Sequence, residues 1–343
     1  MSAHVLKIVK EAEDFFAEWP EEGEIDLMEQ LSKLIINTAS RCLLGNEIRE
    51  NVQKEFALYY QQLSDGMSHL SFFWPRAPTQ AHRERDHART ELAKIFIKVI
   101  KHRRSEPEQG SGLHDDFLQV LIDARYTDGR QLEDNEIVGL LLAALFAGQH
   151  TSNITSTWMG FMFGENMKWL NKVILEQKEV MEKHNKITFE SLAEMTTLHA
   201  CMKETLRLYP PLIILMRKAL EPMAYKGHII PKGDIVCVSP AVAHRLESVY
   251  TNPNQFDPAR FLERHEDKAK YSFLSFGGGR HSCLGERFAF LQVKTIWSLM
   301  SRKFEFEMVQ KTPEIDYSAI VCGPKMPCRM KFKRKSDPYA LKL

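Results

Sequence analysis

One cysteine in this sequence stands in a context that could do chemistry. Three consecutive glycines, 277–279, lie shortly before Cys283, and a helix-like segment, 286–300, follows it. Glycine carries no side-chain bulk and permits positive φ, so the backbone can approach a large flat group closely. The partial positive charge and free N–H groups at the start of a helix favour a thiolate over a thiol. The pattern predicts a metal-ligating or nucleophilic sulfur at Cys283.

Two other interpretations of this segment are open. A glycine-rich loop ahead of a helix can bind phosphate, but no Lys-Ser/Thr pair follows and no strand–helix–strand pattern frames it. A single cysteine is also commonly a small buried hydrophobic residue. The glycine loop favours the ligand or nucleophile over that structural role.

A second polar cluster interrupts the most apolar stretch of the chain. Residues 134–164 predict one long helix, and residues 147–152 inside it are Ala-Gly-Gln-His-Thr-Ser. Buried polar groups need partners. In a structural interpretation, the hydroxyls bond to preceding carbonyls and His150 is a satisfied core histidine. In a functional one, the cluster belongs to the site of chemistry.

Composition limits the classes of protein to which the chain can belong. It has 343 residues, 44% hydrophobic and 27% charged, with a net charge of +1, which allows a substantial core and predicts no nucleic-acid partner. Its six cysteines are widely spaced and include no C-x-x-C pair, which indicates a reducing compartment and neither a zinc site nor a disulfide framework. The opening residues are amphipathic, and the longest apolar run, 137–148, is shorter than the roughly 20 residues that cross a bilayer. We therefore expect no transmembrane helix in the chain itself.

The elements that must position these residues are mostly helices. Helical periodicity covers residues 1–209 with few breaks, and the long helix, apolar all round in its first half, is expected to run through the middle of the fold. After Pro211 the period changes to that of strands. Strands are predicted at 212–220, 227–230, 235–239, 303–309 and 328–335. The sequence predicts one mainly α domain, 1–343, with small antiparallel sheets.

Three connecting segments carry further expectations. The aromatic residues 72–74, in a proline-bounded connection, could belong to the core, to a channel mouth or to a membrane surface. The basic run 98–104 is expected to be a solvated helix end. Residues 105–112 are polar and rich in glycine, which predicts a flexible connection.

The cysteine loop resembles a known family. The spacing Phe276-x-x-Gly279-x-His281-x-Cys283-x-Gly285 is similar to the haem-binding loop of the cytochrome P-450 superfamily. Most members carry arginine where this chain has His281, whereas the sterol 14-alpha-demethylase family typically has histidine. The resemblance implies haem b (iron protoporphyrin IX), with the Cys283 thiolate as axial ligand of the iron. It also implies that Gly277 belongs to the cofactor-binding loop.

The same resemblance assigns roles along the rest of the chain. Gly148 would let the central helix open where it crosses the haem, and Thr151 with His150 would deliver protons to bound dioxygen. Histidine again stands where most members have an acidic residue. Arg217 would bind a haem propionate, although it could instead be a surface arginine on a strand edge. The substrate cavity would be lined by Ala147, Leu212, Ile214, Met216 and Val321.

A buried ionic triad is also implied. Glu204 and Arg207 are three residues apart, so they share a helix face. In the family, an arginine matching Arg260 joins such a pair behind the haem loop. Ala259 stands where the family usually has glutamate, which leaves the arginine itself intact.

The function implied is that of a haem-thiolate monooxygenase. It would remove the 14-alpha-methyl group of a sterol precursor with dioxygen and with electrons from NADPH through a cytochrome reductase, on the cytosolic face of the endoplasmic reticulum membrane. Full-length relatives begin earlier, with a membrane anchor and elements that cover the haem, so we expect an N-terminally truncated P-450 fold associated with the membrane. One alternative is a catalytically inactive fragment that binds haem or a partner. Another is a nucleotide-binding helical protein that uses the glycines at 277–279.

Overall fold

A helix of 32 residues, Asp134–Glu165, runs through the fold in this computed structural model, which describes residues 1–45, 48–49, 53–105 and 115–341. The helices are α1 (Ser2–Ala17), α2 (Leu27–Leu43), α3 (Gln53–Asp65), α4 (His69–Phe73), α5 (Gln80–Ser105), α6 (Phe117–Asp123), α7 (Asp134–Glu165), α8 (Met167–His184), α9 (Phe189–Glu194), α10 (Thr196–Leu208), α11 (Pro240–Ala243), α12 (Ala259–Leu262) and α13 (Glu286–Lys303). The strands are β1 (Glu22–Asp26), β2 (Leu215–Lys218), β3 (Met223–Tyr225), β4 (His228–Ile230), β5 (Ile235–Val238), β6 (Phe304–Met308), β7 (Ile315–Asp316), β8 (Gly323–Pro324) and β9 (Arg329–Arg334). The predicted mainly α fold with small antiparallel sheets is confirmed, and the predicted connection at 105–112 lies, after Ser105, outside the described residues.

Helix α7 packs against α2, α5, α10 and α13, and it is enclosed along its second half. A capping box between Glu133 and Glu136 fixes its start. The helix runs through the middle of the fold as expected, but its first half, although apolar all round, is not buried on every side. In the first half, Leu140, Ala143 and Ala147 are exposed, whereas residues 152–163 are all buried. The polar residues near the middle of the helix therefore lie where an exposed face meets the core.

The largest sheet joins the two ends of the chain. Its strand order is β1-β9-β6, with both pairs antiparallel. Phe304, Phe306 and Phe332 are buried with Trp19, as the alternation of a half-buried strand requires. Strand β1 was missed: we placed Ile25 in a helix, but it pairs with Met330 and α2 begins at Leu27. A pairing partner 305 residues away leaves no local signal in so short a strand.

The remaining sheets are two-stranded pairs, β2-β5, β3-β4 and β7-β8. The strands predicted after Pro211 and in the C-terminal tail are present with shorter bounds, and β3, β7 and β8 were not predicted. Pairing of β2 with β5 places Met216 opposite Cys237 on one face and Arg217 opposite Val236 on the other.

The basic side chains of the run 98–104, at the end of α5, are exposed, as predicted, with the exception of Arg103. Arg103 is only 6% exposed, and its guanidinium donates two hydrogen bonds of 2.9 Å to the Asp116 carboxylate. Arg104 donates to Asp134 at 2.6 Å. The acidic partners stand 13 and 30 residues further along the chain, and the fold brings both against this helix end.

Of two other expectations, the structure narrows one and corrects the other. Phe73 is 80% exposed and Trp74 is 57% exposed, so these two side chains are not core. The side chain of Phe72 lies outside the described residues. Helix α7 is long and apolar enough to cross a membrane by length and composition, contrary to our estimate from the run 137–148. Half of its most apolar window is nevertheless buried inside the fold, as in a core helix.

Candidate active site

The cysteine loop is a tight turn closed by its own backbone. The N–H of Cys283 donates to the carbonyl of Phe276 at 2.9 Å, and the N–H of Gly277 donates to Leu274 at 2.9 Å. Gly277 and Gly279 have φ of +72° and +67°, which disfavours any residue with a Cβ. Helix α13 begins directly after this loop, so Cys283 lies close to the positive end of the helix dipole, as the sequence predicted.

The predicted loop residues come together around this turn. The ring of Phe276 is half-buried and packs against Phe290 with centroids 5.3 Å apart, which anchors one side of the loop. Cys283 and His281 are exposed on the other side, with Leu284 fully exposed between Cys283 and the cap residue Gly285. Within the ranges that the structure describes, no three His, Cys, Asp or Glu side chains converge on a metal position. A single sulfur is therefore what this loop offers to a metal.

The three residues of the predicted triad are in contact and fully buried. The Glu204 carboxylate accepts bonds of 2.7 and 2.9 Å from Arg207 and one of 3.0 Å from Nε of Arg260. A second carboxylate, Glu266, accepts from Nη1 of Arg260 at 2.7 Å. Helix α10 supplies the first two residues from one face, and Pro210 stops the helix just beyond them.

The triad is connected to the cysteine loop through residues that sequence reasoning did not identify. His244 accepts the N–H of Leu274 at 2.7 Å, and the hydroxyl of Ser275 donates to the carbonyl of Leu206 at 3.0 Å. Both bonds join α10 or its partners to the residues just before the loop. His244 directly follows a short helix in a region without strong periodicity, so no sequence pattern predicted a role for it.

The polar cluster on α7 makes local hydrogen bonds. The hydroxyl of Thr151 donates to the carbonyl of Ala147 at 2.7 Å, which matches the structural interpretation of this cluster. Nε2 of His150 lies 2.9 Å from the hydroxyl of Ser64 on α3. Burial lowers the pKa of His150, while Asp65 opposes that shift, so the imidazole is neutral near pH 7. Ser64 was missed because nothing in the sequence links it to α7.

Gly148 has no packing reason to be glycine in the described chain. It lies in a helix, where glycine costs about 1 kcal/mol relative to alanine. A Cβ added there would meet nothing within 4 Å. The missing side chain therefore leaves space on the outside of α7, close to Ala147 and Thr151.

The predicted cavity residues form an exposed apolar row. Leu212, Ile214 and Met216 alternate along the chain into β2, and all three are exposed. Arg217 is exposed and, among the described residues, donates to the carbonyl of Met216 at 2.8 Å. Val321 is half-buried and packs against the cluster that contains Ile154 and Trp158.

These features fit a flat, mostly apolar group with acidic edges. The exposed thiol of Cys283 offers an iron ligand, and the glycines of the loop admit a planar ring. The exposed guanidinium of Arg217 suits a carboxylate. The chemistry of this donor set agrees with haem.

Nearly the whole chain matches known proteins. The family model described as cytochrome P450 matches residues 3–330. Obtusifoliol 14-alpha demethylase of Triticum aestivum is 46% identical over 344 residues, which cover 98% of this chain and 75% of that protein. The chain belongs to the sterol 14-demethylase group of the cytochrome P450 family. As a P450 it is a haem-binding oxidoreductase that incorporates oxygen.

Other relatives extend this result. Sterol 14-demethylase of Arabidopsis thaliana is 45% identical, over 98% of this P450 and 70% of that protein. Lanosterol 14-alpha demethylase of Homo sapiens is 42% identical, over 97% of this P450 and 65% of that protein. The solved structure described as retinoic acid bound cyanobacterial CYP120A1 shares the fold, with a TM-score of 0.86 at 23% identity over 97% of this chain and 75% of that one. The comparisons favour the monooxygenase over both the inactive fragment and the nucleotide-binding protein.

Proposed function

We propose that this P450 removes the 14-alpha-methyl group of a sterol precursor by successive oxygen insertions at that carbon. The observation that carries the proposal is an identity of 42% to 46% with sterol 14-demethylases that extends over nearly the whole chain. His281, which follows the pattern of that group rather than of most P450s, supports it.

Haem would be held by the cysteine loop. Cys283 would supply the thiolate that binds the iron, Phe276 and Gly285 would fix the two ends of the loop, and Gly277 and Gly279 would let the backbone come close to the cofactor. When bound, haem supplies the activation of dioxygen, which electron donation from a thiolate favours. His281 would lie at the edge of the ring, and Arg217 would turn from the Met216 carbonyl to a propionate.

The residues on α7 would handle protons. The Thr151 hydroxyl, which now donates to Ala147, keeps two lone pairs and can turn to donate toward the space beside Gly148. Neutral His150 can accept a proton at Nε2, where it meets the Ser64 hydroxyl, and can release it again, since imidazole exchanges protons near neutral pH. The chain would thus hold a proton donor on α7 without placing a permanent charge there.

The exposed apolar row would bind the sterol. Burying such side chains against a hydrocarbon skeleton stabilises a complex by about 25 cal/mol per Å² of apolar surface. Leu212, Ile214 and Met216 would form one wall with Ala147 on α7, and Val321 would contribute from the C-terminal hairpin. This apolar wall would orient the substrate, because it can bury the hydrocarbon skeleton but offers no hydrogen bond to a polar group of the sterol.

Two exposed cysteines allow a matched test of the iron ligand. Cys283→Ser should lose the thiolate-type Soret band of the reduced CO complex and the turnover of sterol with reductase. Cys237→Ser, at the other exposed cysteine, should keep both. Retention of both signals in Cys283→Ser would overturn the proposal, and failure of the unaltered chain to take up haem would favour the inactive fragment.

Electrons are proposed to come from NADPH through a cytochrome reductase. Exposed basic side chains lie in the cysteine loop, at Arg280, and on the segments that flank it, at Lys268, Lys270 and Arg287. Their positive charge suits an acidic redox protein and would steer its approach. Charge reversal at Arg287 should raise the KM for reductase at low salt and leave haem binding unchanged; a KM equal to that of the parent chain would count against this docking face.

Association with the cytosolic face of the endoplasmic reticulum membrane is proposed from a separate surface. Exposed Phe73 and Trp74 adjoin exposed Arg76, a combination of aromatic and basic side chains typical of membrane interfaces. Replacing both aromatics by alanine should reduce flotation with vesicles that contain anionic lipid. Val120→Ala, at an exposed apolar side chain on α6, should not; equal flotation of the three proteins would contradict this attachment.

A further inference from the structure

His244 is a fully buried histidine that lies between the triad and the cysteine loop. Its Nε2 accepts the backbone N–H of Leu274 at 2.7 Å, and its Nδ1 lies 3.2 Å from the carbonyl oxygen of Arg207. An N–H can only donate and a carbonyl can only accept. The two partners therefore fix the neutral tautomer in which Nδ1 carries the proton.

The imidazole is held on both sides. The carbonyl of His244 itself accepts from Nη1 of Arg207 at 2.7 Å, so these two residues are bonded in both directions. The ring stacks on Phe273 with centroids 5.3 Å apart and planes 9° apart. Phe273 is the neighbour of Leu274, whose carbonyl accepts the N–H of Gly277 at 2.9 Å and thereby begins the loop.

We propose that His244 is a positioning residue for Cys283, because its neutral imidazole ties the base of the ligand loop at Leu274 to the triad residue Arg207. The triad would then fix more than the fold of α10. Through the His244 side chain, the triad would also fix the backbone at Leu274, from which the loop that carries Cys283 begins. The inference rests on the proposed function only in taking 276–285 as the ligand loop.

The groups around the ring keep it uncharged. Arg207 faces it from α10, Arg245 adjoins it in the chain, and the Tyr250 ring lies edge-on with its centroid 6.4 Å away. Burial first, and then the charges of both arginines, lower the pKa of His244 to about 4, although its bond to the Arg207 carbonyl acts in the opposite direction. Protonation would replace the acceptor at Nε2 by a donor that faces another N–H, so strong acid should release Leu274.

Two conservative variants separate the two hydrogen bonds. The glutamine amide reaches as far as Nε2, so His244→Gln can still accept from Leu274. The asparagine amide reaches only as far as Nδ1, so His244→Asn can still donate to the Arg207 carbonyl but leaves the Leu274 N–H without its acceptor. Hydrogen–deuterium exchange of the intact chain at the Leu274 amide should show protection lowered about tenfold in His244→Asn, the equivalent of one lost hydrogen bond, and close to the parent value in His244→Gln.

A buried histidine elsewhere supplies the control. His82 bonds to Thr79 at the start of α5, so His82→Asn should lower global stability without a selective loss at Leu274. On acidification toward pH 4, Leu274 protection should fall in the parent chain and persist in His244→Gln, a comparison that stands even if His244→Asn does not fold. Equal protection in the Asn and Gln variants, or the same pH response in the parent and the Gln variant, would overturn the inference. Because exchange is measured with or without haem, failure to bind haem would count against the proposed function alone.

Discussion

The Glu204 carboxylate lies 3.0 Å from Nε of Arg260, 56 residues away in the chain, and solvent reaches neither side chain. The same carboxylate pairs with Arg207 at 2.7 Å. One buried anion thus faces two buried guanidinium groups, and Glu266 contributes the second negative charge at Arg260. The cluster is balanced only while Glu204 is ionised.

Glu204→Gln should therefore destabilise the fold strongly, since it preserves shape but leaves buried positive charge without its counterion. We expect a loss of about 3 to 5 kcal/mol in the free energy of unfolding, measured by urea denaturation, together with loss of haem content. Asp14→Asn, which breaks the exposed pair of Lys10 and Asp14, should cost no more than about 1 kcal/mol. Similar losses in the two variants would contradict the buried-network argument.

The glycines of α7 differ in a way that only the structure reveals. A Cβ at Gly160 would overlap Cδ2 of Leu27, whereas a Cβ at Gly139 would meet nothing within 4 Å. Gly160→Ala should lower the free energy of unfolding by about 1 to 3 kcal/mol through overpacking. Gly139→Ala should raise it by up to about 1 kcal/mol through helix propensity. Thermal unfolding of both variants tests the pair. If Gly139→Ala destabilised the chain as much as Gly160→Ala, overlap of the added methyl group with Leu27 would not explain the loss of stability.

The sequence predicted those parts of the site whose residues lie close together in the chain. The loop from Phe276 to Gly285 and the helix after it were predictable, because glycine, cysteine and a helix start stand within ten residues of one another. The Glu204–Arg207 pair was predictable from helical spacing, but its partner Arg260 came only from the family resemblance. Local patterns carry geometry only over the length of a turn or a helix.

What could not be predicted depends on contacts between distant segments. Ser64 meets His150 across 86 residues, and Leu274 meets His244 across 30, with no local signature at either end. The exposed face of α7 was missed for the same reason: apolar composition does not distinguish a side buried in the core from a side that faces a ligand space. Arg103 shows the converse, since one arginine of a mostly exposed basic run is buried where a distant carboxylate balances its charge.

The three-stranded sheet carries a ladder of opposite charges on its exposed face. Lys331 on β9 lies opposite Glu24 on β1 and Glu307 on β6. Lys331→Glu replaces two attractive cross-strand pairs by repulsive ones, so it should cost about 1 to 2 kcal/mol at low salt. The loss should shrink in 0.5 M salt, where the screening length falls below ~10 Å. Lys186→Glu, on an exposed loop, is the control; an effect of Lys331→Glu that is independent of salt would rule out the ladder as its cause.

Lys294 makes the free energy of unfolding change with pH in the alkaline range. It lies on α13 with only 6% of its surface exposed, and its ammonium donates to the carbonyl of Leu192. Burial lowers the pKa of Lys294 from 10.5 to about 8, against the opposing charge of Glu176. The unfolded chain therefore holds more protons than the folded chain between pH 8 and pH 10.5, and the free energy of unfolding should rise across that window.

The penalty for holding this charge is greatest below pH 8 and vanishes above pH 10.5. Lys294→Met should consequently be more stable than the parent chain at pH 7, by up to about 3 kcal/mol, with the difference shrinking toward pH 10.5. Lys178→Met, at an exposed site on α8, should show no such trend. Urea unfolding at pH 7 and pH 10 measures both differences. If the gain from Lys294→Met were the same at the two values, packing of the methionine rather than removal of a buried charge would be its source.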